Sequence, residues 1–245
     1  MEKIILKNIG RKIKKNQIFE NINMEICLKP QRIYGFVGPN GSGKTTLMKL
    51  ISGLYFQNKG EIQCTCTKEA YDLWARSNIS YIPSDERGIF YKNTIFDNAL
   101  YYGVIKGVPE KRLKKNIQKY AQDLDIIPLL NKRVEELSTG QKKKAQLLAA
   151  LSTERKLLLL DEPSSGLDLD ALKDLKETLL KIVSSVDTSI IVSSHDTKFL
   201  SDMIEHYFFL FNGTIIEKEF KDYDSNKLEI TYHKLKGESN LYGDS

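Results

Sequence analysis

Apolar and polar residues alternate along the first thirty positions. Lys3 to Ile9 and Ile18 to Leu28 carry the strand period, and the polar stretch Gly10 to Gln17 between them predicts a turn in an antiparallel pair. Ile33-Tyr34-Gly35-Phe36-Val37 is a short apolar run of strand type, and Thr45 to Ser52 places Leu47, Leu50 and Ile51 at helical spacing. Glu61 to Thr67 predicts another short strand, and Ile79 to Ile82 one more, stopped by Pro83. From about Ser84 to Leu151 the period turns helical: Leu113, Ile117, Tyr120 and Leu124 recur at spacings of four and three. Lys111, Lys114, Lys115 and Gln118 fill the opposite side, which reads as a solvated helix face. Strands then return. Leu157-Leu158-Leu159-Leu160 and Ile190-Ile191-Val192 are apolar on both faces, as buried parallel strands are. Between them Ala171 to Ser184 is an amphipathic helix with Leu172, Leu175, Leu179 and Ile182 on one stripe. Tyr207 to Phe211 and Thr214 to Ile216 predict a hairpin turning on Asn212-Gly213. Lys227 to Leu235 predicts a last strand, and residues 236–245 a polar, frayed tail.

Composition narrows the classes. The chain has 245 residues, 41% hydrophobic, enough for a sizeable core. A formal charge of +5, from 37 basic and 32 acidic groups, is too mild to argue for nucleic acid, and no nucleic-acid partner is expected. Three cysteines, Cys27, Cys64 and Cys66, suggest a reducing compartment rather than a disulfide framework. Cys64-Thr65-Cys66 has no second Cys/His pair nearby and is not read as a metal site. No apolar run approaches the ~18 residues of a spanning helix, and the first residues do not read as a signal peptide. The expectation is a cytosolic protein, or one peripheral on the cytosolic face of a membrane.

Chemistry enters at Gly38-Pro39-Asn40-Gly41-Ser42-Gly43-Lys44-Thr45-Thr46, which fits G-x-x-x-x-G-K-[ST] between a strand and a helix. Glycines let successive backbone N–H groups converge into an anion nest, and the helix N-terminus adds its partial positive charge. All nine residues are candidates for holding a nucleotide's phosphates, Lys44 for the outer ones and the Thr45 hydroxyl for Mg²⁺. Asp161, at the end of the four-leucine strand, stands where P-loop NTPases hold Mg²⁺, and Glu162 is placed to polarise an attacking water. Ser138 is a good N-cap for the helix that follows, so Ser138, Thr139, Gly140 and Gln141 make a second anion-binding helix start. A small GTPase would need Asn-Lys-x-Asp, but Asn131-Lys132-Arg133-Val134 has valine where the aspartate must stand.

The phosphate loop, Leu137-Ser138-Thr139-Gly140-Gln141, Leu157 to Glu162, Ser165-Gly166-Leu167-Asp168 and His195 occur in the order in which the ATP-binding cassette (ABC) ATPases carry their motifs. Over roughly residues 2 to 220 the sequence resembles that family, and within it the ATPase subunit of an exporter-type transporter. The resemblance implies an α/β fold: a P-loop NTPase core with an antiparallel β subdomain and an inserted helical subdomain. It would span 2–235, with the helical insert at about 84–155. It implies ATP hydrolysis with Glu162 as general base, His195 on the γ-phosphate, and Mg²⁺ held by Thr45 and Asp161. It implies a head-to-tail homodimer or heterodimer in which Ser138 to Gln141 of one subunit reach the ATP of the other and Asp168 works across the interface. It also implies membrane-spanning permease subunits as partners and a place on the cytoplasmic face of the cell membrane. A soluble cassette, as in Fe–S assembly, is the alternative. Three positions depart from the family pattern: Thr139 stands where glycine is commonest, and Ile13 where an aromatic would stack on adenine. Ser84 stands where a glutamine touches the metal, and it would reach the metal only through a water.

Overall fold

The computed structural model describes residues 1–201, 203–220 and 225–241. Three strands form an antiparallel sheet: β1 (Lys3–Ile13) lies between β2 (Asn16–Cys27) and β4 (Lys59–Cys64). The six-stranded sheet has the order β5-β6-β7-β3-β8-β9, with β3 (Ile33–Val37), β5 (Ile79–Ile82), β6 (Leu157–Asp161), β7 (Ser189–Ser194), β8 (His206–Phe211) and β9 (Thr214–Glu219). All neighbours in it are parallel except the β8–β9 hairpin. The architecture is α/β, a mostly parallel sheet with a separate antiparallel sheet on one side and a block of helices on the other.

The apolar runs are explained by what covers each face. Odd and even positions of one strand enter different cores. Ile33, Val37, Leu158, Leu160, Ile190, Val192, Tyr207 and Phe209 pack on the side of the helices α3 (Ile95–Ile105), α4 (Glu110–Asp123), α5 (Thr139–Leu151) and α6 (Leu169–Ser185). Tyr34, Phe36, Leu157, Leu159, Ile191, Phe208 and Leu210 pack on the other, beneath the antiparallel sheet, α1 (Lys44–Ile51) and α2 (Tyr71–Asn78). With both faces buried, period-two patterning has no wet side on which to show.

Four expectations change. The turn between the first strands shrinks from Gly10–Gln17 to two residues, because β1 carries irregularities after Leu6 and Ile9 that break its alternation without ending its pairing. The short helices α2 and α7 (Thr197–Ser201) were not foreseen. Residues 227–235 are not a strand: α8 (Ser225–Leu241) covers them and part of the expected tail, while 242–245 lie outside the described residues. Leu228, Ile230 and Tyr232 mimic alternation, but Leu228, Tyr232 and Leu235 form the stripe that packs on the core, and Ile230 is 67% exposed. Finally, Cys64 and Cys66 are joined as a disulfide where β4 ends, their Cα atoms 5.4 Å apart and within bridging reach, and Cys27 is free. No described helix is long and apolar enough to cross a membrane.

Candidate active site

The site gathers at the C-terminal ends of β3, β6 and β7, adjacent in the sheet. The loop Gly38–Gly43 leaves β3 with no room for side chains at its two ends. A Cβ on Gly38 would meet the Leu210 carbonyl oxygen at 2.4 Å and Ser42 Oγ at 2.7 Å. One on Gly43, which opens α1 at φ 100°, would lie 2.6 Å from the Phe19 ring. Lys44 folds back across this loop and is only 5% exposed. Its Nζ donates to the carbonyls of Gly38 (2.7 Å) and Pro39 (3.1 Å). Ser42 Oγ is buried without a hydrogen-bond partner among the described residues.

The acids sit across from the lysine. Asp161 is 1% exposed and carries three hydroxyl donors. Thr45 Oγ1 (3.1 Å) and Ser193 Oγ (2.8 Å) donate to Oδ1, and the Tyr81 hydroxyl (2.9 Å) donates to Oδ2. Burial and the Asp161 charge both push the Tyr81 phenol up, so it stays protonated and donates. Glu162 follows at φ 45°, a backbone region that costs a residue with a Cβ of order 1–3 kcal/mol. That turn aims its carboxylate back into the site, with its N–H donating to Ser193 Oγ at 2.9 Å. Oε1 lies 3.1 Å from Lys44 Nζ, close enough for an ion pair but not aligned for a hydrogen bond. Oε2 lies 2.9 Å from His195 Nδ1. A carboxylate only accepts, so this geometry assigns the histidine's proton to Nδ1.

The structure therefore brings together Gly38 to Thr46, Asp161, Glu162 and His195. It does not bring Ser138 to Gln141 or Asp168 to them. Ser138 caps α5 with Gln141 in a reciprocal box: Gln141 N donates to Ser138 Oγ and Ser138 N to Gln141 Oε1. Asp168 caps α6, its Oδ1 accepting from Ala171 N at 2.8 Å. The two helix starts lie side by side at the surface, a Cβ on Gly140 falling 3.4 Å from that of Ala171. Ser84 is exposed, and its carbonyl rather than its hydroxyl is engaged, by Lys143 Nζ at 2.5 Å. Burial pushes the Lys143 ammonium down, against the charges of Glu86, Asp85 and Asp161. A cavity of about 630 Å³ beside the phosphate loop is lined by Ile18, Gln17, Glu20 and the β8–β9 turn; Ile13 does not line it. Tyr81, Ser193 and Lys143 were missed in the sequence. Tyr81 sits inside a short strand-like run, Ser193 is one of two serines ending another, and Lys143 is the middle of three lysines, so no spacing marks any of them.

These residues fit a phosphate chain and a hard cation. The loop ends exclude side chains, Ser42 Oγ is an orphaned buried polar atom, and Thr45 and Asp161 present oxygen ligands to one point. Comparison with known proteins agrees. The family model described as "ABC transporter" matches residues 21–165. The chain is 30% identical over 213 residues to the uncharacterized ABC transporter ATP-binding protein YhaQ of Bacillus subtilis, covering 86% of this chain and 70% of that one. It is 30% identical over 227 residues to the lantibiotic transport ATP-binding protein SrtF of Streptococcus pyogenes, covering 88% and 90%. Its fold is similar to that of cbiO1 from Clostridium perfringens, part of the ABC transporter complex cbiONQ, with a TM-score of 0.80 at 23% identity over 98% of each chain.

Proposed function

From the premise that this chain belongs to the ABC transporter family as an ATP-binding protein, we propose that it hydrolyses ATP to ADP and phosphate and drives transport through separate membrane subunits. The observation that carries the reading is Glu162, set between Lys44 and His195 at the end of β6. Lys44 leaves the Gly38 and Pro39 carbonyls to follow the outer phosphates. Its departure from Glu162 leaves that carboxylate to accept the proton of the attacking water. His195, held beside Glu162, would contact the γ-phosphate, to which only a ring N–H can donate. Thr45 and Asp161 would hold Mg²⁺, with Ser84 reaching it only through a water. When bound, the ion neutralises charge developing on the phosphate oxygens. The names of the relatives favour the transport reading over a soluble cassette.

The remaining pieces concern partners. Ser138 to Gln141 and Asp168 face solvent as two adjoining helix starts, which suits completion of a second subunit's site. The permease would dock on the helical side, where Tyr101, Val104 and Ile105 of α3 and Phe90 and Tyr91 before it are exposed large side chains. A permease places the chain on the cytoplasmic face of the membrane. Glu162→Gln keeps the shape and removes the base, so phosphate release should fall by about 10²–10⁴ while nucleotide binding, measured by calorimetry, persists. Full turnover by that variant would sink the assignment.

A further inference from the structure

The buried carboxylate of Asp161 is held by more than the residues that the reaction uses. Its three hydroxyl donors come from three elements, and they divide between its oxygens. Thr45 and Ser193 share Oδ1, and Tyr81 alone serves Oδ2. Tyr81 and Ser193 come from the two strands that flank β6: Tyr81 lies opposite Leu159 on β5, and Ser193 opposite Asp161 on β7. The carboxylate is thus gripped from both sides, one hydroxyl to each oxygen. Thr45 is the donor that a cation would claim for itself. Once it turns away, Ser193 and Tyr81 are what remains to fix the plane of the carboxyl group.

From this arrangement we infer that Tyr81 is a positioning residue for Asp161, setting how firmly the site takes a divalent cation with its nucleotide. The inference rests on the ATP-binding reading above. A packing role alone does not explain the contact. The ring is half-buried and borders a cavity of about 260 Å³ between Pro83, Gln146 and Ala149, so one side of it meets no close-packed neighbour. Its hydroxyl, by contrast, ends on a charged group whose hydrogen-bond partners among the described residues are all hydroxyls, with no counter-cation. The position is also independent of Ser84. What the residue after Pro83 offers is a backbone carbonyl to Lys143, and the side chain that reaches Asp161 comes from three residues earlier.

Tyr81→Phe keeps the ring and removes only the donor. The test is calorimetric titration of the purified full chain, wild type and variant, with a non-hydrolysable ATP analogue, with and without Mg²⁺. The wild type should bind more tightly with Mg²⁺ than without. In Tyr81→Phe that Mg²⁺-dependent tightening should shrink by about tenfold, the ordinary worth of a hydrogen bond to a charged group. Affinity without Mg²⁺ should stay within about twofold, since the phosphate loop is untouched. Equal or greater Mg²⁺-dependent tightening in the variant overturns the inference. So does an equal loss of affinity with and without Mg²⁺, which would make the residue a structural support only. A wild type that binds no nucleotide sinks the ATP-binding reading and this inference with it.

Discussion

Lys143 shows how one side chain can settle the meaning of another. The sequence draws attention to Ser84, because a glutamine is usual there and a serine reaches less far. In the structure the engaged atom is the Ser84 carbonyl, and the donor is a lysine 59 residues away, buried in the second turn of α5. Gln146 donates to the Asp85 carbonyl from the same helix at 3.0 Å, and Lys142 meets Glu86 at 3.3 Å. Ser84→Ala leaves every one of these bonds in place. Lys143→Met removes the central one, and it also removes a cation whose burial is costly. Lys143→Met should therefore speed hydrogen exchange over residues 84–89 by about tenfold, with little movement of the global unfolding midpoint and a larger loss of ATPase rate than Ser84→Ala. Exchange unchanged at 84–89 would show that the loop is held some other way. The phosphate loop and the Asp161-Glu162 pair were legible because each is short, contiguous and chemically unusual. Lys143, Tyr81 and Ser193 act across strands or helices, and their partners exist only once the sheet order is known.

Helix α8 separates two periodicities that the sequence leaves superposed. Lys227 to Leu235 alternates well enough to pass for a strand, and a lone strand here would have continued the sheet beyond β9. The chain instead buries Leu228 and Leu235 and sets the Tyr232 ring 5.5 Å from that of Phe211. The choice follows from what is available to cover. The β8 face bearing Phe211 needs an apolar stripe, and residues at i, i+4 and i+7 supply one. Leu228→Ala should cost about 2–4 kcal/mol in chemical denaturation, whereas Ile230→Ala should fall within about 0.5 kcal/mol of wild type. Equal costs at the two positions would point back to a strand with both residues on one face. Ile33–Val37 and Leu157–Leu160 read correctly because both of their faces are buried, so no phase has to be chosen. The short helices α2 and α7 carry too few turns for any period to register.

The arrangement of anion-binding groups over the molecule has a consequence for assembly. One helix start, that of α1, faces Asp161, Glu162 and His195; the other, that of α5, opens at the surface beside the start of α6. Within one chain the two do not share a phosphate. A second chain placed head to tail would close each nucleotide between a phosphate loop and a Ser138–Gln141 segment, so that bound ATP would join the dimer and hydrolysis would release it. Glu162→Gln, by slowing hydrolysis, should accumulate that state, and light scattering in saturating Mg²⁺-ATP should report about twice the monomer mass. Gly140→Asp is the counter-test. The new Cβ meets only Ala171, at an ordinary 3.4 Å, and a carboxylate in the first turn of α5 suits the helix dipole, so the monomer should fold and keep its thermal midpoint. The same carboxylate would confront the partner's γ-phosphate, where like charges repel. Placed in the Glu162→Gln background, Gly140→Asp should return the protein to monomer without weakening ATP binding by more than about tenfold. A Glu162→Gln protein that stays monomeric in saturating Mg²⁺-ATP, or one that dimerises just as well with Asp at position 140, would show that the surface helix starts are not the other half of the site.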